Sequence, residues 1–255
     1  TYGHEFFVNG TQTVGDACFG PTSSCTWKSI LVGTLGEGGR TVYALDVTDP
    51  FTFDETDVLW EYNFDDTRTG TTNSAGMGFI KGAPQIVRLS NGEWGVVFGN
   101  GYNSDNVTPS DNNHSARLFI LDVEDGTEIK VIDTKIGDVD NENGMATPLI
   151  VDVNDDRIAD TIYSGDLFGN LFKFDISSAS ESNWETVFTE SEDSTDTAFV
   201  ETADDAAPLF RAKDKDGVTQ AITTKPTIVV NTFVTGSFNI IFGNFVLIDL
   251  LLYWR

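Results

Sequence analysis

The run Asp152-Val-Asn-Asp-Asp-Arg-Ile-Ala-Asp160 places oxygen side chains at its first, third, fifth and ninth positions: Asp152, Asn154, Asp156 and Asp160. The carbonyl of Ile158 falls at the seventh. A hard cation is satisfied by several oxygens, and a tightly turning loop can aim alternate residues at one point, so the spacing predicts a Ca²⁺ site. Apolar runs flank the loop, Pro148 to Val151 before it and Thr161 to Tyr163 after it. They predict a strand-loop-strand unit rather than a helix-loop-helix. Two positions depart from the helix-loop-helix pattern: the sixth is Arg157 where a glycine would turn the chain, and the twelfth is Tyr163 rather than a bidentate Glu. The competing reading is an Asp/Asn-rich hairpin turn that binds nothing.

Other chemistry finds less support. His4 and His114 are the only histidines, they are far apart, and no Ser sits in a G-x-S-x-G elbow. His114 lies in the polar stretch SDNNHSA and is expected to face solvent. Asp138, Asp140 and Glu142 form an acidic cluster just ahead of the loop, which reads either as an extra ligand source or as a solvated turn. Asp214-Lys-Asp-Gly217 is a short acidic turn. Cys18 and Cys25 are the only cysteines. Their spacing allows a small disulfide loop in an oxidising compartment or two free thiols, and without a second pair it argues against zinc.

The elements that must position the loop are visible as a repeat. Val42-Tyr-Ala-Leu-Asp46, Leu118-Phe-Ile-Leu-Asp122 and Leu171-Phe-Lys-Phe-Asp175 are short alternating strands ending in Asp, each preceded by a Gly-rich strand: SILVGTLGEGG, GVVFGNGYN and DTIYSGDLFGN. A third phrase, with Pro at the start of a strand, recurs as Gly82-Ala-Pro-Gln-Ile-Val87, Ala146-Thr-Pro-Leu-Ile-Val151 and Thr224-Lys-Pro-Thr-Ile-Val229. Variable outer strands follow, such as Val58-Leu-Trp-Glu-Tyr62 and Trp184-Glu-Thr-Val-Phe188. The repeated Asp is expected to accept backbone N–H groups in its own turn. Copies of one antiparallel four-stranded module predict an all-β fold, a modified β-propeller occupying 1–255 as a single domain. The phrases account for three complete blades and parts of two more, which reads as an incomplete fragment of a ring, truncated at both ends. Residues 245–255 lack turn punctuation and form an atypical tail, too short to span a bilayer.

Composition narrows the function classes. The 255 residues carry a net charge of −25, which opposes binding to a nucleic acid backbone or insertion at an anionic membrane surface. With 24 Gly and 19 Phe, the chain suits strands and turns.

Taken together, WKSILVGTLGEGGRTVYALDVTDP (27–50), MGFIKGAPQIVRLSNGEWGVVFGNGYNS (77–104) and NGMATPLIVDVNDDRIADTIYSGDLFGNLFKFDI (143–176) resemble the C-terminal β-propeller of the PilC/PilY family. PLFRAKDKDGVTQAITTKP (208–226) is a weaker match, and the resemblance runs to about residue 244. It implies a bacterial, pilus-associated protein of the outer cell surface, acting in type IV pilus assembly and adhesion without catalysis. Its partners would be pilin or minor pilins. A host-surface receptor would be met through a region N-terminal to this one. The family's calcium loop, which influences pilus extension against retraction, falls on Asp152, Asn154, Asp156, Ile158 and Asp160, usually with Gly where Arg157 stands. Two other propeller classes share Gly-rich, Asp-ended strands or acidic loops. A quinoprotein dehydrogenase would need a quinone site, and no adjacent Cys pair is present. An integrin-like propeller repeats its acidic loop in several blades, whereas here the loop occurs once.

Overall fold

The computed structural model describes residues 5–21, 23–65, 76–102, 114–188, 206–231, 237–243 and 250–253. Its strands form antiparallel meanders laid down in chain order. The first sheet is β1 (Thr13–Phe19), β2 (Thr26–Thr34), β3 (Thr41–Asp46) and β4 (Val58–Asn63). The second is β5 (Gln85–Arg88), β6 (Trp94–Gly99), β7 (Arg117–Asp122) and β8 (Glu128–Asp133). The third is β9 (Leu149–Val151), β10 (Thr161–Gly165), β11 (Asn170–Asp175) and β12 (Glu185–Thr186), with β13 (Phe210–Arg211) also pairing with β11. The fourth is β14 (Thr227–Val230), β15 (Phe238–Phe242) and β16 (Leu250–Tyr253). These are the blades of a β-propeller.

The repeated phrases occupy equivalent places. Pro84, Pro148 and Pro226 stand immediately before β5, β9 and β14, where no ladder donor is required. Asp46, Asp122 and Asp175 each accept the backbone N–H two residues on, from Thr48 (3.0 Å), Glu124 (2.6 Å) and Ser177 (2.9 Å). The blade arithmetic differs from the sequence reading. Among the described residues there are three sheets of at least four strands and one of three, in place of three blades and parts of two others. β1 carries none of the repeated phrases, yet it completes the first blade. Within the 208–226 phrase, Phe210–Arg211 form β13, an added partner of β11. Within 245–255, the backbone of 250–253 pairs with β15.

Cores form between blades, because each sheet has two faces to cover. Trp60, Tyr62, Phe98 and Phe119 fill the space between the first and second, and Leu118, Ile120, Phe172, Phe174 and Trp184 that between the second and third. A smaller set, including Tyr163, Leu171, Ile222 and Phe242, joins the third and fourth. Cys18 and Cys25 are disulfide-bonded across the β1–β2 hairpin, which resolves the choice left open by their spacing. Closing so short a loop restricts the unfolded chain by about 2–3 kcal/mol.

A polar seam repeats at the end of each Gly-rich strand. Thr34 Oγ1 donates to the Ile80 carbonyl (2.8 Å), Asn100 Oδ1 accepts the Met145 N–H (2.9 Å), and the Asp166 carbonyl accepts the Ile222 N–H (2.9 Å). In each case the partner lies in the segment leading into the next blade. At Asn100 and Asp166 the glycine ahead of the polar residue makes this approach possible, since a Cβ on Gly99 or Gly165 would meet the incoming segment. At Gly99 a Cβ would lie 2.4 Å from the Ala146 carbonyl oxygen and 2.6 Å from that of Met145, both rigid backbone atoms. Asp166 is fully buried, and its carboxylate takes N–H donors from Asn143 Nδ2 (2.8 Å), Asn170 Nδ2 (2.8 Å) and the Asn170 backbone (2.7 Å).

Candidate metal centre

The 152–160 loop joins β9 to β10, as the flanking apolar runs predict. Its conformation is written by its own side chains. Asp152 Oδ1 accepts the N–H groups of Asn154 (3.2 Å), Asp155 (2.6 Å) and Asp156 (3.2 Å), and its Oδ2 accepts that of Arg157 (2.6 Å). Asn154 Oδ1 takes the Asp156 N–H (2.9 Å), and Asp156 Oδ1 takes that of Ile158 (2.8 Å). Asp160 Oδ2 closes the mouth by accepting the Val153 N–H (2.8 Å). Asp155 and Arg157 adopt left-handed backbone conformations, with φ of 64° and 68°. Arg157 therefore makes the turn for which a Ca²⁺ loop uses glycine, at a cost of about 1–2 kcal/mol.

The chemistry of this donor set suits a hard cation. Every candidate ligand is oxygen, and Asp152, Asn154 and Asp156 sit on successive turns of one short loop. Among the described residues, no three His, Cys, Asp or Glu side chains gather at metal-binding spacing. The three candidate carboxylates, Asp152, Asp156 and Asp160, are instead spread along the loop and occupied by backbone N–H groups. For Asp152, partial desolvation pushes the carboxyl upward. The N–H groups of Arg157, Asp155, Asp156 and Asn154 outweigh this and hold it below the usual carboxylate range.

The loop is stitched to the neighbouring blade. Ala159 donates its N–H to the Arg88 carbonyl (2.9 Å), and Ser90 Oγ donates to the Ile176 carbonyl (2.8 Å). The turn after β5 and the end of the loop are therefore fixed to one another. Sequence spacing could not reveal this, because the two partners lie 71 residues apart, at positions 88 and 159.

The remaining candidates separate from the loop. Asp138 Oδ1 accepts the N–H groups of Asp140 (2.9 Å) and Asn141 (2.8 Å), so the Asp138, Asp140 and Glu142 cluster holds a turn of its own. Asp214 likewise accepts from Asp216 and Val218 within its turn. The expectation of an exposed His114 is overturned, since it is only 4% exposed. Pairing of Ala116 with Ile136 and Thr134 draws this part of the chain under the 134–143 segment, where the His114 carbonyl accepts the Asn143 N–H (2.8 Å). Its Nδ1 lies 3.8 Å from Glu142 Oε1 and, among the described residues, makes no hydrogen bond. His4 lies outside the described residues.

Two carboxylates give the fold a pH dependence. Burial pushes Asp166 up to about 6, although the surrounding N–H donors oppose it. Burial likewise pushes Asp122 up to about 6, aided by the nearby Asp125, Glu124 and Glu93. A carboxyl raised in this way is harder to ionise folded than unfolded. Its contribution is fully present below the unfolded value of about 3.9 and is lost as pH rises through about 6. The thermal midpoint is expected to fall between about pH 4.5 and pH 7. Asp122→Asn, which retains an acceptor for the Glu124 N–H, should flatten that slope, and calorimetric scans across the range check it.

The chain matches the family described as the PilY1 β-propeller domain over residues 1–247. It is 36% identical over 230 residues to the type IV pilus biogenesis factor PilY1 homolog of Xylella fastidiosa, covering 87% of this chain and 14% of that protein. It is also 36% identical over 230 residues to the type IV pilus biogenesis factor PilY1 of Pseudomonas aeruginosa strain UCBPP-PA14, covering 89% of this chain and 18% of that one. The crystal structure of the Pseudomonas aeruginosa PilY1 C-terminal domain matches with a TM-score of 0.72 and 32% identity. That match covers 94% of this chain and 44% of the other. The chain thus spans less than a fifth of the length of these two curated relatives.

Proposed function

As this chain belongs to the PilY1 β-propeller domain family, we propose that it is the calcium-responsive, non-catalytic propeller module of a bacterial type IV pilus biogenesis factor. In this reading the 152–160 loop biases pili between extension and retraction. The observation that carries it is a loop of oxygen donors whose end is hydrogen-bonded to the adjacent blade through Ala159 and Arg88.

Asp152, Asn154, Asp156, Asp160 and the Ile158 carbonyl would hold the ion. Bound Ca²⁺ would draw these oxygens to one point in place of their backbone N–H donors and fix the β9–β10 connection. Extracellular modules bind Ca²⁺ with Kd of about 10⁻⁴–10⁻³ M, so millimolar calcium would favour the occupied loop by roughly 0.5–1.5 kcal/mol. That is too little to carry the fold but enough to bias a surface. The surface it would bias includes the β5–β6 turn, because the Arg88 carbonyl accepts the Ala159 N–H and Ser90 Oγ donates to the Ala159 carbonyl (3.4 Å).

Pilus components, pilin or minor pilins, are the partners this reading requires, with adhesion to a host receptor assigned to regions outside this chain. The Cys18–Cys25 disulfide fits an oxidising, extracellular location. Among the described residues, no helix is long and apolar enough to cross a membrane.

The test is made in the full-length protein, in a bacterium that depends on it for surface pili. With Asp152→Ala and Asp156→Ala combined, piliation and twitching should stop responding to calcium chelation and readdition while the protein is still produced at normal levels. Pili that still follow calcium in the double variant would refute the reading.

A further inference from the structure

A second site lies at the junction of the first two blades, away from the calcium loop's own donors. The ends of the β1–β2 and β5–β6 hairpins enclose a cavity of about 260 Å³ lined by Cys18, Cys25, Trp27, Arg88, Gly92 and Trp94. Register explains how these side chains meet. Cys18 stands opposite Trp27, and Arg88 stands opposite Trp94. Directly opposed residues in a hairpin project from the same face, so each hairpin delivers its pair to one side. The disulfide fixes the first hairpin end. Gly92, at φ +94°, and the Asn91 side chain, which accepts the Glu93 N–H (3.1 Å), fix the second.

Trp27 and Trp94 meet edge to face, with centroids 5.6 Å apart and planes at 75°. Trp27 is 61% exposed, so an indole face remains open at the cleft. Arg88 supplies the charge. Among the described residues its guanidinium makes no hydrogen bond or ion pair, although the chain has 40 acidic residues against 15 basic ones. The acidic residues of the adjoining turns take neutral donors and not this guanidinium: Glu93 accepts from Asn91 Nδ2 (2.7 Å), and Glu124 from the Gly20 N–H (2.5 Å). A guanidinium and an open indole lining one cleft form a receptor for a carboxylate attached to a ring with an apolar face, as the C–H face of a pyranose provides.

We propose that this cleft binds an acidic sugar, one carboxylated pyranose ring stacked on Trp27 with its carboxylate on Arg88. The cavity is at the small end for ligand sites, about the size for one ring rather than an extended chain. A polyanion would be repelled by the net charge of −25, whereas a single carboxylate pays little of that repulsion. An ammonium ligand would be opposed by Arg88. The proposal stands independently of calcium binding.

The whole chain is titrated with glucuronate, with glucose as the uncharged counterpart and a short Glu-rich peptide as the alternative anion, following tryptophan fluorescence and heat. Arg88→Gln and Trp27→Ala serve as variants, with unfolding curves to show that both remain folded. Saturable quenching by glucuronate with Kd in the millimolar range is expected, at least about tenfold weaker for glucose and for either variant. No saturation up to about 50 mM with folded protein, or equal affinity in both variants, would overturn the proposal. Binding of the peptide without binding of glucuronate would overturn it in favour of a protein partner.

Discussion

Replacing Asp166 by alanine is expected to cost about 3–5 kcal/mol of stability, one of the two largest effects foreseen for a single change in this chain. The carboxylate is fully buried and is the common acceptor for Asn143 Nδ2, Asn170 Nδ2 and the Asn170 N–H. Removing it leaves several donors in a dry interior, each costing about 1–3 kcal/mol, with a partial offset because a desolvated charge is also removed. Its carbonyl ties the third blade to the fourth through Ile222, so disorder there should spread across the blade interface. Asp166→Asn should recover little, because an amide N–H₂ would face donors on one side. Urea titration checks both variants. The midpoint should fall sharply with little change in slope. A loss below about 1 kcal/mol would show that the network is not cooperative.

Phe119→Ala should be comparably severe, for a different reason. Phe119 is fully buried in the core between the first and second blades. It stacks on Phe98 with centroids 5.3 Å apart and planes at 2°, and it meets Tyr62 edge to face at 6.0 Å. Truncation removes the ring and leaves a cavity between two sheets that cannot close without moving a blade, at about 3–5 kcal/mol. Phe51, 97% exposed, is the control, and Phe51→Ala should stay within about 0.5 kcal/mol of the parent. A small effect at Phe119 would mean that the blades re-pack independently. Both changes lie outside the 152–160 loop and should leave its oxygen donors in place.

The blades were legible because local rules write them. The Asp at the end of β3, β7 and β11 accepts an N–H within its own turn, and Pro precedes β5, β9 and β14. What stayed hidden depends on distance in the chain. β1 carries no repeated phrase and is defined by its pairing with β2. β13 is two residues long and exists through its contact with β11. The Asn100 and Asp166 seam had a sequence signal, a Gly followed by a polar residue at the end of each Gly-rich strand. Its meaning lies in contacts to the next blade, 45 residues on for Asn100 and Met145. His114 misled for a related reason. Its polar neighbours predict exposure, while non-local pairing of Ala116 carries it inside.

The candidate metal loop was legible as a list of oxygens and less so as a shape. Arg157 stands where the pattern has glycine, and its left-handed conformation shows that the turn forms without one. The bond from Ala159 to Arg88, which links the loop to the second blade, had no sequence signal.

Calorimetric titration of Ca²⁺ into this chain and into its Asp152→Ala, Asp156→Ala variant, with Mg²⁺ as the control ion, tests the central claim most directly. One site with Kd of about 10⁻⁴–10⁻³ M, weaker for Mg²⁺ and lost in the folded variant, is the predicted result. Absence of binding heat up to about 10 mM in the folded parent chain would contradict it, leaving the 152–160 loop a hydrogen-bonded turn that binds no ion.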